Sequence, residues 1–259
     1  MTTSDTHAAP RAALVTGGAK RVGLAITRAL VDAGYAVAVH ANSSRAEADA
    51  VCAEIRSQGG RAQAVQADLS DHTQALKLMP SAVAAVGPLT LLVNNASMFE
   101  ADDIATLSRD LFDRHMAIHV RAPLFLAQTF AAQAPDDADA AIVNMLDQRV
   151  LKPTPLFLSY ALSKSALYAA TTMLAQALAP KVRVNGVAPG PTLPSRRQSQ
   201  EDFARQSAQL PLGHGTTPEQ VAQAVLFLAG APSITGQIIA VDGGQHLAWQ
   251  TPDIAGIEE

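Results

Sequence analysis

Short apolar runs alternate with longer stretches of helical periodicity along most of the chain. The first run, residues 12–16, ends in a glycine turn, and residues 21–33 then place apolar side chains at helical spacing. Similar short runs, typical of buried strands, follow at 35–40, 61–66, 90–93, 140–145, 182–187 and 237–241. Strands that alternate with helices predict a parallel sheet covered by helices on both faces. The predicted fold is a doubly wound α/β sheet.

The predicted helices lie between these strands, at 21–33, 46–58, 71–86, 109–133, 159–179 and 217–229. Pro123 is expected to bend the long fourth helix, because proline lacks an N–H and crowds the preceding turn. Neither a repeat nor a change in composition divides the chain. Residues 11–250 are therefore expected to form a single domain between an N-terminal tail, 1–10, and a C-terminal tail, 251–259.

Composition excludes several classes of function. A net charge of −4 gives no reason to expect a nucleic acid or an anionic membrane as partner. Cys52 is the only cysteine, so no internal disulfide and no cysteine-based metal cluster is expected. The first ten residues lack the apolar core of a secretory signal, and no apolar run is long enough for a membrane helix. We expect a cytoplasmic protein that binds a small molecule.

The turn after the first strand has the composition of a phosphate-binding loop. In sheets of this kind, ligands bind beyond the carboxyl ends of the strands. Gly17 permits a tight turn, Gly23 lets the next helix approach the sheet, and the start of that helix offers free N–H groups to a pyrophosphate. A glycine turn can also merely close a strand–helix connection.

Polar residues follow the third and fourth strands. Asp68 and Leu69 stand where an acceptor could meet the amino group of an adenine, and Asn95, Ala96 and Ser97 stand where small side chains can line a groove. A helix cap or an Asx turn explains these residues equally well.

Tyr160 and Lys164 are the candidate acid–base pair. They occur at i and i+4 of a predicted helix, so both side chains lie on one helix face. A neighbouring ammonium favours the phenolate, so Lys164 is expected to lower the pKa of Tyr160 from its ordinary value near 10. The plain alternative is a partly buried tyrosine beside a solvated lysine.

Taken together, these motifs resemble the short-chain dehydrogenase/reductase family. Thr16-Gly17 with Gly23, Asn94-Asn95-Ala96, Tyr160 with Lys164, and the segments 185–190 and 241–244 follow that family's order and spacing. The resemblance implies a Rossmann-like domain, a nicotinamide dinucleotide and hydride transfer. It also implies that Tyr160 and Lys164 are catalytic, that Lys164 binds the nicotinamide ribose, that Pro189, Gly190 and Thr192 hold the nicotinamide, and that the protein is a homotetramer.

Three departures from the family pattern point to a subgroup. Arg21 replaces the middle glycine of the turn, Asp147 replaces the usual catalytic serine, and His119 replaces an asparagine of the long helix. With the segments 94–99 and 144–147, Arg21 and Asp147 resemble the pteridine reductases, a subgroup that includes the bacterial dihydromonapterin reductases. The resemblance places Arg21, Ser97, Phe99, Asp147 and Tyr160 around a pterin substrate.

The chemistry of a pterin is compatible with these residues. Reduction of a ring C=N bond needs a proton at nitrogen as hydride reaches carbon, and Asp147 could deliver that proton directly or through Tyr160. Phe99 offers a flat apolar face, and Arg21 has fixed donors for a carbonyl or a phosphate. Each residue also has a plain role: Phe99 in loop packing, Arg21 as a phosphate clamp, and Asp147 as a turn residue paired with Arg149.

The end of the second strand favours NADPH over NADH. An acidic residue there would bind the ribose hydroxyls of NAD and repel a 2′-phosphate. This chain has no acidic residue there before Glu47. The residues expected to bind the cofactor at this end are Lys20, Arg21, Val22, Asn42, Ser43 and Ser44, with a further cation at Arg45.

Two regions leave alternatives open. His119 could hold a water in place of asparagine, or could be an ordinary core histidine. The polar segment 193–212 is expected to be a loop, either a substrate lid or a mobile surface loop. The predicted function is NADPH-dependent reduction of a dihydropterin. Its rivals are a carbonyl or 3-oxoacyl carrier-protein reductase and a nucleotide-binding regulator without turnover.

Overall fold

The structure of the protein is a computed structural model, which describes residues 11–195 and 197–250. The strands within these residues are β1 (Ala12–Val15), β2 (Ala36–Ala41), β3 (Arg61–Gln66), β4 (Leu91–Asn94), β5 (Ala140–Met145), β6 (Val182–Pro189) and β7 (Ile238–Val241). The helices are α1 (Arg21–Asp32), α2 (Arg45–Ser57), α3 (His72–Val86), α4 (Arg109–Met116), α5 (Ala122–Gln133), α6 (Leu158–Leu178), α7 (Gln200–Ala208) and α8 (Pro218–Ala229). The predicted tails, 1–10 and 251–259, lie outside the described residues. No helix in the described part of the chain could cross a membrane.

The strands form one parallel sheet in the order β3-β2-β1-β4-β5-β6-β7. The order reverses at β1, which pairs with β2 on one side and with β4 on the other. A ligand crevice opens beyond the carboxyl ends of strands at such a reversal. The predicted doubly wound α/β fold is confirmed.

Two hydrophobic cores sandwich the sheet, because successive side chains of a strand point to opposite faces. Leu92 of β4 belongs to the core that contains Leu126 and Phe130 of α5. The next residue, Val93, belongs to the core that contains Ile26 of α1. All five side chains are almost completely buried, which fixes the carboxyl ends of the strands in place beneath the crevice.

The predicted helix 109–133 is interrupted by a π-helical turn, Ala117–Arg121, between α4 and α5. The N–H of Ala122 donates to the carbonyl of Ala117, five residues back. Pro123 has no N–H, and in a regular helix its ring would crowd the carbonyl of His119. The wider turn accommodates the proline, and π turns are common at functional sites. The helix is thus irregular next to Pro123, in a form that the sequence did not predict.

A short helix, α7, occupies part of the segment predicted to be a loop. The Ser199 hydroxyl accepts from the N–H of Asp202 at 3.0 Å, and acidic residues fill the first turn while Arg205 lies in the last. Such capping and charge placement stabilise a helix whose apolar content is low. The prediction of a loop throughout 193–212 is therefore wrong for Gln200–Ala208.

Candidate active site

A cleft of about 610 Å³ lies at the carboxyl ends of β1, β4, β5 and β6. Most predicted site residues line it: Gly17, Lys20, Arg21, Val22, Asn95, Ala96, Ser97, Phe99, Asp147, Tyr160, Lys164, Pro189, Gly190 and Thr192. Asn42, Ser43, Ser44, Asp68 and Leu69 are not among the lining residues and follow β2 and β3 instead. The sequence motifs therefore converge on one place, apart from those assigned to the adenosine end of the cofactor.

The glycine turn after β1 fits a pyrophosphate. Gly17 has φ +63°, and a Cβ on Gly23 would lie 2.1 Å from the Gly17 carbonyl, so neither position accepts an ordinary side chain. Lys20 precedes α1 without capping it through its side chain, and the first turn of α1 contains no acidic residue. The N–H groups at the start of α1 therefore have no side-chain acceptor and can meet an anion.

Buried His40 holds this turn against its neighbours. The N–H of Gly17 donates to His40 Nδ1 at 3.0 Å, and His40 Nε2 lies 3.0 Å from the carbonyl of Ala67. These partners require a neutral ring that carries its proton on Nε2. Burial lowers the pKa of His40, against the opposing hydrogen bond to Ala67, which agrees with that state. The side chain links the ends of β1, β2 and β3.

Arg21 begins α1 with left-handed backbone geometry, φ +53°. Its guanidinium donates to the carbonyl of Pro194 at 3.1 Å and to that of Leu193 at 3.4 Å. Arg21 thus joins the glycine turn to the loop that closes the opposite side of the cleft, a contact that sequence reasoning did not anticipate.

We expect Arg21→Gly to be about 1 kcal/mol more stable than Arg21→Ala, because only glycine adopts this φ without strain. Both variants should bind NADPH about tenfold more weakly, since each loses the same charged donor. Urea denaturation and fluorescence titration with NADPH measure the two effects. Equal stability of the two variants would show that the backbone at this position is unstrained.

Two of the three cations expected near the 2′-phosphate, Lys20 and Arg45, have carboxylate partners. Lys20 Nζ lies 2.6 Å from Glu47, and Arg45 Nε lies 2.8 Å from Asp49. All four side chains are about half exposed. Exposed pairs of this kind contribute only about 0–1 kcal/mol, so a phosphate dianion can replace the carboxylates at little cost.

Asp68 forms an Asx turn, one of the alternatives left open by the sequence. Its Oδ1 accepts from the N–H of Ser70 at 2.8 Å and from the Ser70 hydroxyl at 2.7 Å. Leu69 beside it is buried. Contact of either residue with adenine stays a prediction.

The loop after β4 is tied to the glycine turn. Asn95 Nδ2 donates to the carbonyls of Thr16 at 2.8 Å and Gly17 at 3.1 Å. The Thr16 hydroxyl in turn accepts from the N–H groups of Asn95 and Ala96. These bonds fix the width of the groove between the two loops.

Tyr160 and Lys164 occupy one turn of α6 beside the end of β5. The Tyr160 hydroxyl donates to Asp147 Oδ2 at 2.9 Å, and Lys164 Nζ donates to the carbonyl of Met145 at 2.7 Å. Both side chains are almost fully buried. The structure thus brings together the three residues predicted to be catalytic.

The predicted lowering of the Tyr160 pKa is wrong for this structure. Burial raises that pKa well above 10, and the Asp147 carboxylate raises it further. Lys164 Nζ lies 5.9 Å from the centre of the Tyr160 ring and is directed to Met145, while the hydroxyl faces Asp147. Burial also lowers the pKa of Lys164, to about 8. The phenol is therefore held protonated, with its hydroxyl donating to Asp147.

Asp147 contacts both Tyr160 and Arg149. Arg149 Nη1 lies 3.2 and 3.1 Å from the two carboxylate oxygens, and the Arg149 N–H donates to Oδ1 at 2.9 Å. The alternative of a turn residue paired with Arg149 is therefore correct, and it coexists with the contact to Tyr160. Arg149 orients the carboxylate that receives the Tyr160 hydrogen bond.

Phe99 is stacked on Phe157, with ring centres 4.3 Å apart and planes 9° from parallel. At most one face of Phe99 is thus left for a substrate ring. The Tyr160 ring lies edge-on to Phe99, with 4.8 Å between the ring centres.

Two guanidiniums flank the edges of the stacked pair Phe99 and Phe157. Arg149 and Arg197 each lie 5.4 to 5.6 Å from the centres of both phenylalanine rings. Sequence reasoning missed Phe157, which has left-handed geometry at φ +58°.

His119 is a hydrogen-bonded core histidine, the second alternative left open by the sequence. Its Nε2 accepts from the N–H of Met98 at 3.1 Å, and its Nδ1 lies 2.8 Å from the Ser163 hydroxyl. Ser163 donates to the carbonyl of Tyr160, so it must accept from a proton on Nδ1. Burial lowers the pKa of His119 well below 6.5. His119 anchors the loop beside Ser97 to the helix that carries Tyr160.

We expect the free energy of unfolding to fall as the pH drops below about 6.5. Folding lowers the pKa of His40 and of His119, so below that pH the unfolded chain binds protons that the folded chain does not bind. Each histidine held neutral adds a slope of up to about 1.4 kcal/mol per pH unit. Urea denaturation between pH 7.5 and 5.5 measures the slope.

His119→Asn should flatten that slope, because it removes an imidazole that the fold keeps neutral. A wild-type stability that is constant over this range would contradict neutral buried histidines.

The comparisons with known proteins agree with this geometry. The family model described as enoyl-(acyl carrier protein) reductase matches residues 17–246. The chain belongs to the short-chain dehydrogenase/reductase family. It is thus an oxidoreductase of that family, and both the resemblance to the family and the predicted Rossmann-like fold are confirmed.

Three relatives bear on the choice of substrate. One is FolM alternative dihydrofolate reductase 1 from Brucella canis, whose crystal structure is complexed with NADP. Its sequence is 49% identical to this chain, and the alignment covers 94% of this chain and 97% of the Brucella canis chain. The two structures superpose with a TM-score of 0.91. Pteridine reductase 1 of Leishmania tarentolae is 34% identical over 95% of this chain and 99% of its own. The 3-oxoacyl-[acyl-carrier-protein] reductase FabG of Staphylococcus aureus is 28% identical over 92% and 98%.

Proposed function

We propose that the protein is an NADPH-dependent reductase of a dihydropterin, acting on a ring C=N bond. The observation that carries the proposal is the hydrogen bond from a buried, protonated Tyr160 to Asp147, 2.9 Å long, where the family usually has a serine. A serine hydroxyl suits a carbonyl oxygen. A carboxyl group that is protonated, or that relays a proton through a neighbouring phenol, suits the delivery of a proton to a ring nitrogen.

The relatives support both cofactor and substrate class. The Brucella canis protein was crystallised with NADP and is titled an alternative dihydrofolate reductase, and the Leishmania tarentolae protein is named a pteridine reductase. The residues after β2 contain no acidic side chain before Glu47, which favours a cofactor with a 2′-phosphate. The contacts predicted from the sequence for single residues, with the cofactor or with the substrate, are proposals that rest on the same relatives and motifs.

In the proposed mechanism, each residue of the cleft has a defined task. Bound NADPH supplies the hydride. The glycine turn and the N–H groups that begin α1 would hold the pyrophosphate of the cofactor, and Lys164 would hold the ribose next to the nicotinamide. Phe99 packs against the substrate ring with its remaining face. The Tyr160 hydroxyl proton turns from Asp147 to the ring nitrogen, and the phenolate that is left takes a proton from solvent, relayed through the carboxyl group of Asp147, which Arg149 orients.

A second candidate is reduction of a carbonyl or a 3-oxoacyl carrier-protein thioester. It is favoured by the relative FabG, which is named a 3-oxoacyl-[acyl-carrier-protein] reductase. Asp147 in place of the serine counts against it. The retention of Tyr160 and Lys164 within the cleft counts against a nucleotide-binding regulator without turnover.

Oxidation of NADPH, followed at 340 nm, tests the proposal. Dihydromonapterin, dihydrobiopterin, dihydrofolate and an acetoacetyl thioester are compared side by side, with NADH as the alternative cofactor. We expect turnover of at least one dihydropterin and a preference for NADPH. Turnover of the thioester alone would overturn the proposed substrate.

The homotetramer stays a proposal. Its support is a set of exposed apolar side chains on α5 and α6, namely Leu124, Phe125, Leu162 and Met173. Light scattering of the purified protein would decide, and a monomer would refute it. The cytoplasmic location stays a prediction, which fractionation of cells that make the protein would check.

A further inference from the structure

A second cavity, of about 390 Å³, adjoins the cleft on the side away from the glycine turn. The two share Gln148, Arg149, Gln206 and Gln245 as lining residues. Because Gln148 directly follows Asp147 in the chain, the second cavity begins next to the reacting groups. The proposed mechanism assigns no task to this second cavity.

Two carboxamide oxygens at the junction lack a hydrogen-bond donor among the described residues. Gln148 is only 7% exposed, and its Oε1 is completely buried without a donor within reach among the described residues. Gln245 Oε1, from the turn after β7, is buried without a donor in the same way. A buried acceptor that lacks a hydrogen bond costs stability, so acceptors of this kind are expected to serve a ligand. Both residues line the junction of the two cavities, so rotation of either carboxamide presents its oxygen to an amide N–H of a ligand there.

The charged side chains lining the second cavity, within the described residues, are both cations, Arg149 and Lys152. Arg149 is neutralised by Asp147. Lys152 donates one of its three N–H bonds to the carbonyl of Ala248, which leaves the others for a ligand. The remaining polar lining consists of glutamine and threonine side chains. Such a surface attracts a carboxylate and does not repel one.

We propose that the second cavity binds an arm of the substrate that carries amide N–H donors and a carboxylate. The inference rests on the proposed function: with the pterin ring beside Tyr160 and Phe99, a substituent leading away from the nicotinamide enters this cavity. The arm of dihydrofolate, an aminobenzoyl-glutamate, has this chemistry, whereas the short side chain of dihydrobiopterin has hydroxyl groups only. Gln148 and Gln245 accept from the arm, and Lys152 pairs with its carboxylate.

Two variants and a matched control test the subsite. Gln148→Leu removes the carboxamide at nearly constant size, and Lys152→Gln removes the cation. Lys181→Gln makes the same change of charge at a lysine that precedes β6, at the opposite end of the sheet, where it pairs with Asp136. For dihydrofolate, kcat/KM should fall about tenfold in the first two variants, as expected for a lost bond to a charged or buried group, and should be unchanged in the control. For dihydrobiopterin, all three should stay within about twofold of wild type.

A fragment supplies an independent readout. Aminobenzoyl-glutamate without the pterin should inhibit dihydrofolate turnover, less so for Lys152→Gln and at high salt. Equal effects of the variants on both pterins, or no inhibition by the fragment, would overturn the subsite and leave the proposed function standing. Failure of both pterins to oxidise NADPH would contradict the proposed function and the subsite together.

Discussion

Tyr160→Phe should lower kcat for dihydropterin reduction by about 10² to 10⁴-fold, the range lost with an acid–base group. The substitution removes only the hydroxyl, which is buried and donates to Asp147 at 2.9 Å. Asp147 keeps its pair with Arg149, so no carboxylate is left without a partner. We therefore expect a folded enzyme that binds NADPH with an affinity close to wild type.

Tyr168→Phe is the matched control, because Tyr168 lies on the same helix and is 36% exposed. Steady-state kinetics and a fluorescence titration with NADPH measure the two effects. A Tyr160→Phe enzyme with kcat within a fewfold of the control would mean that the proton comes from another group.

The second large effect is expected at Asp147. Asp147→Asn keeps the shape and an acceptor for Tyr160 but removes the charge, and it should lower kcat for the pterin about a hundredfold. Asp147→Ser, which restores the residue usual in the family, should lose pterin turnover by at least as much. Arg149→Gln separates the two contacts of Asp147, because it removes the ion pair and leaves the carboxylate on Tyr160. If Asp147 acts through Tyr160, Arg149→Gln should lower kcat less than Asp147→Asn does.

The double variant Tyr160→Phe/Asp147→Asn decides whether the two residues act as a unit. Residues that act through one another have strongly non-additive effects. We expect kcat of the double variant to be no lower than that of Tyr160→Phe alone, within about a factor of three. Multiplied losses would show that Asp147 contributes by a separate route. Unchanged kcat in Asp147→Ser would show that the carboxylate is structural.

The sheet could be predicted from the sequence because its signals are local. Alternating apolar runs and glycine turns mark the strands, and the predicted strand ends lie within two residues of those observed. The i, i+4 spacing of Tyr160 and Lys164 likewise suffices to place both side chains on one face of α6.

What the sequence could not supply are features set by tertiary contacts. Phe157 takes left-handed geometry although it is not glycine, and it does so where its N–H donates to the carbonyl of Asp102. Burial and the Asp147 carboxylate raise the pKa of Tyr160, whereas spacing along the helix had suggested an opposite effect of Lys164. The unpartnered carboxamide of Gln148 has no signature in the sequence.

Transfer of deuterium from NADPH labelled at C4 tests the central claim most directly. The enzyme is mixed with NADPH carrying two deuterium atoms at C4 and with a dihydropterin, and the product is examined by mass spectrometry and NMR. Reduction of the ring C=N bond predicts a tetrahydropterin one mass unit heavier, with the deuterium on the ring carbon. An unlabelled pterin, together with deuterium on the carbonyl carbon of an acetoacetyl thioester, would contradict the account.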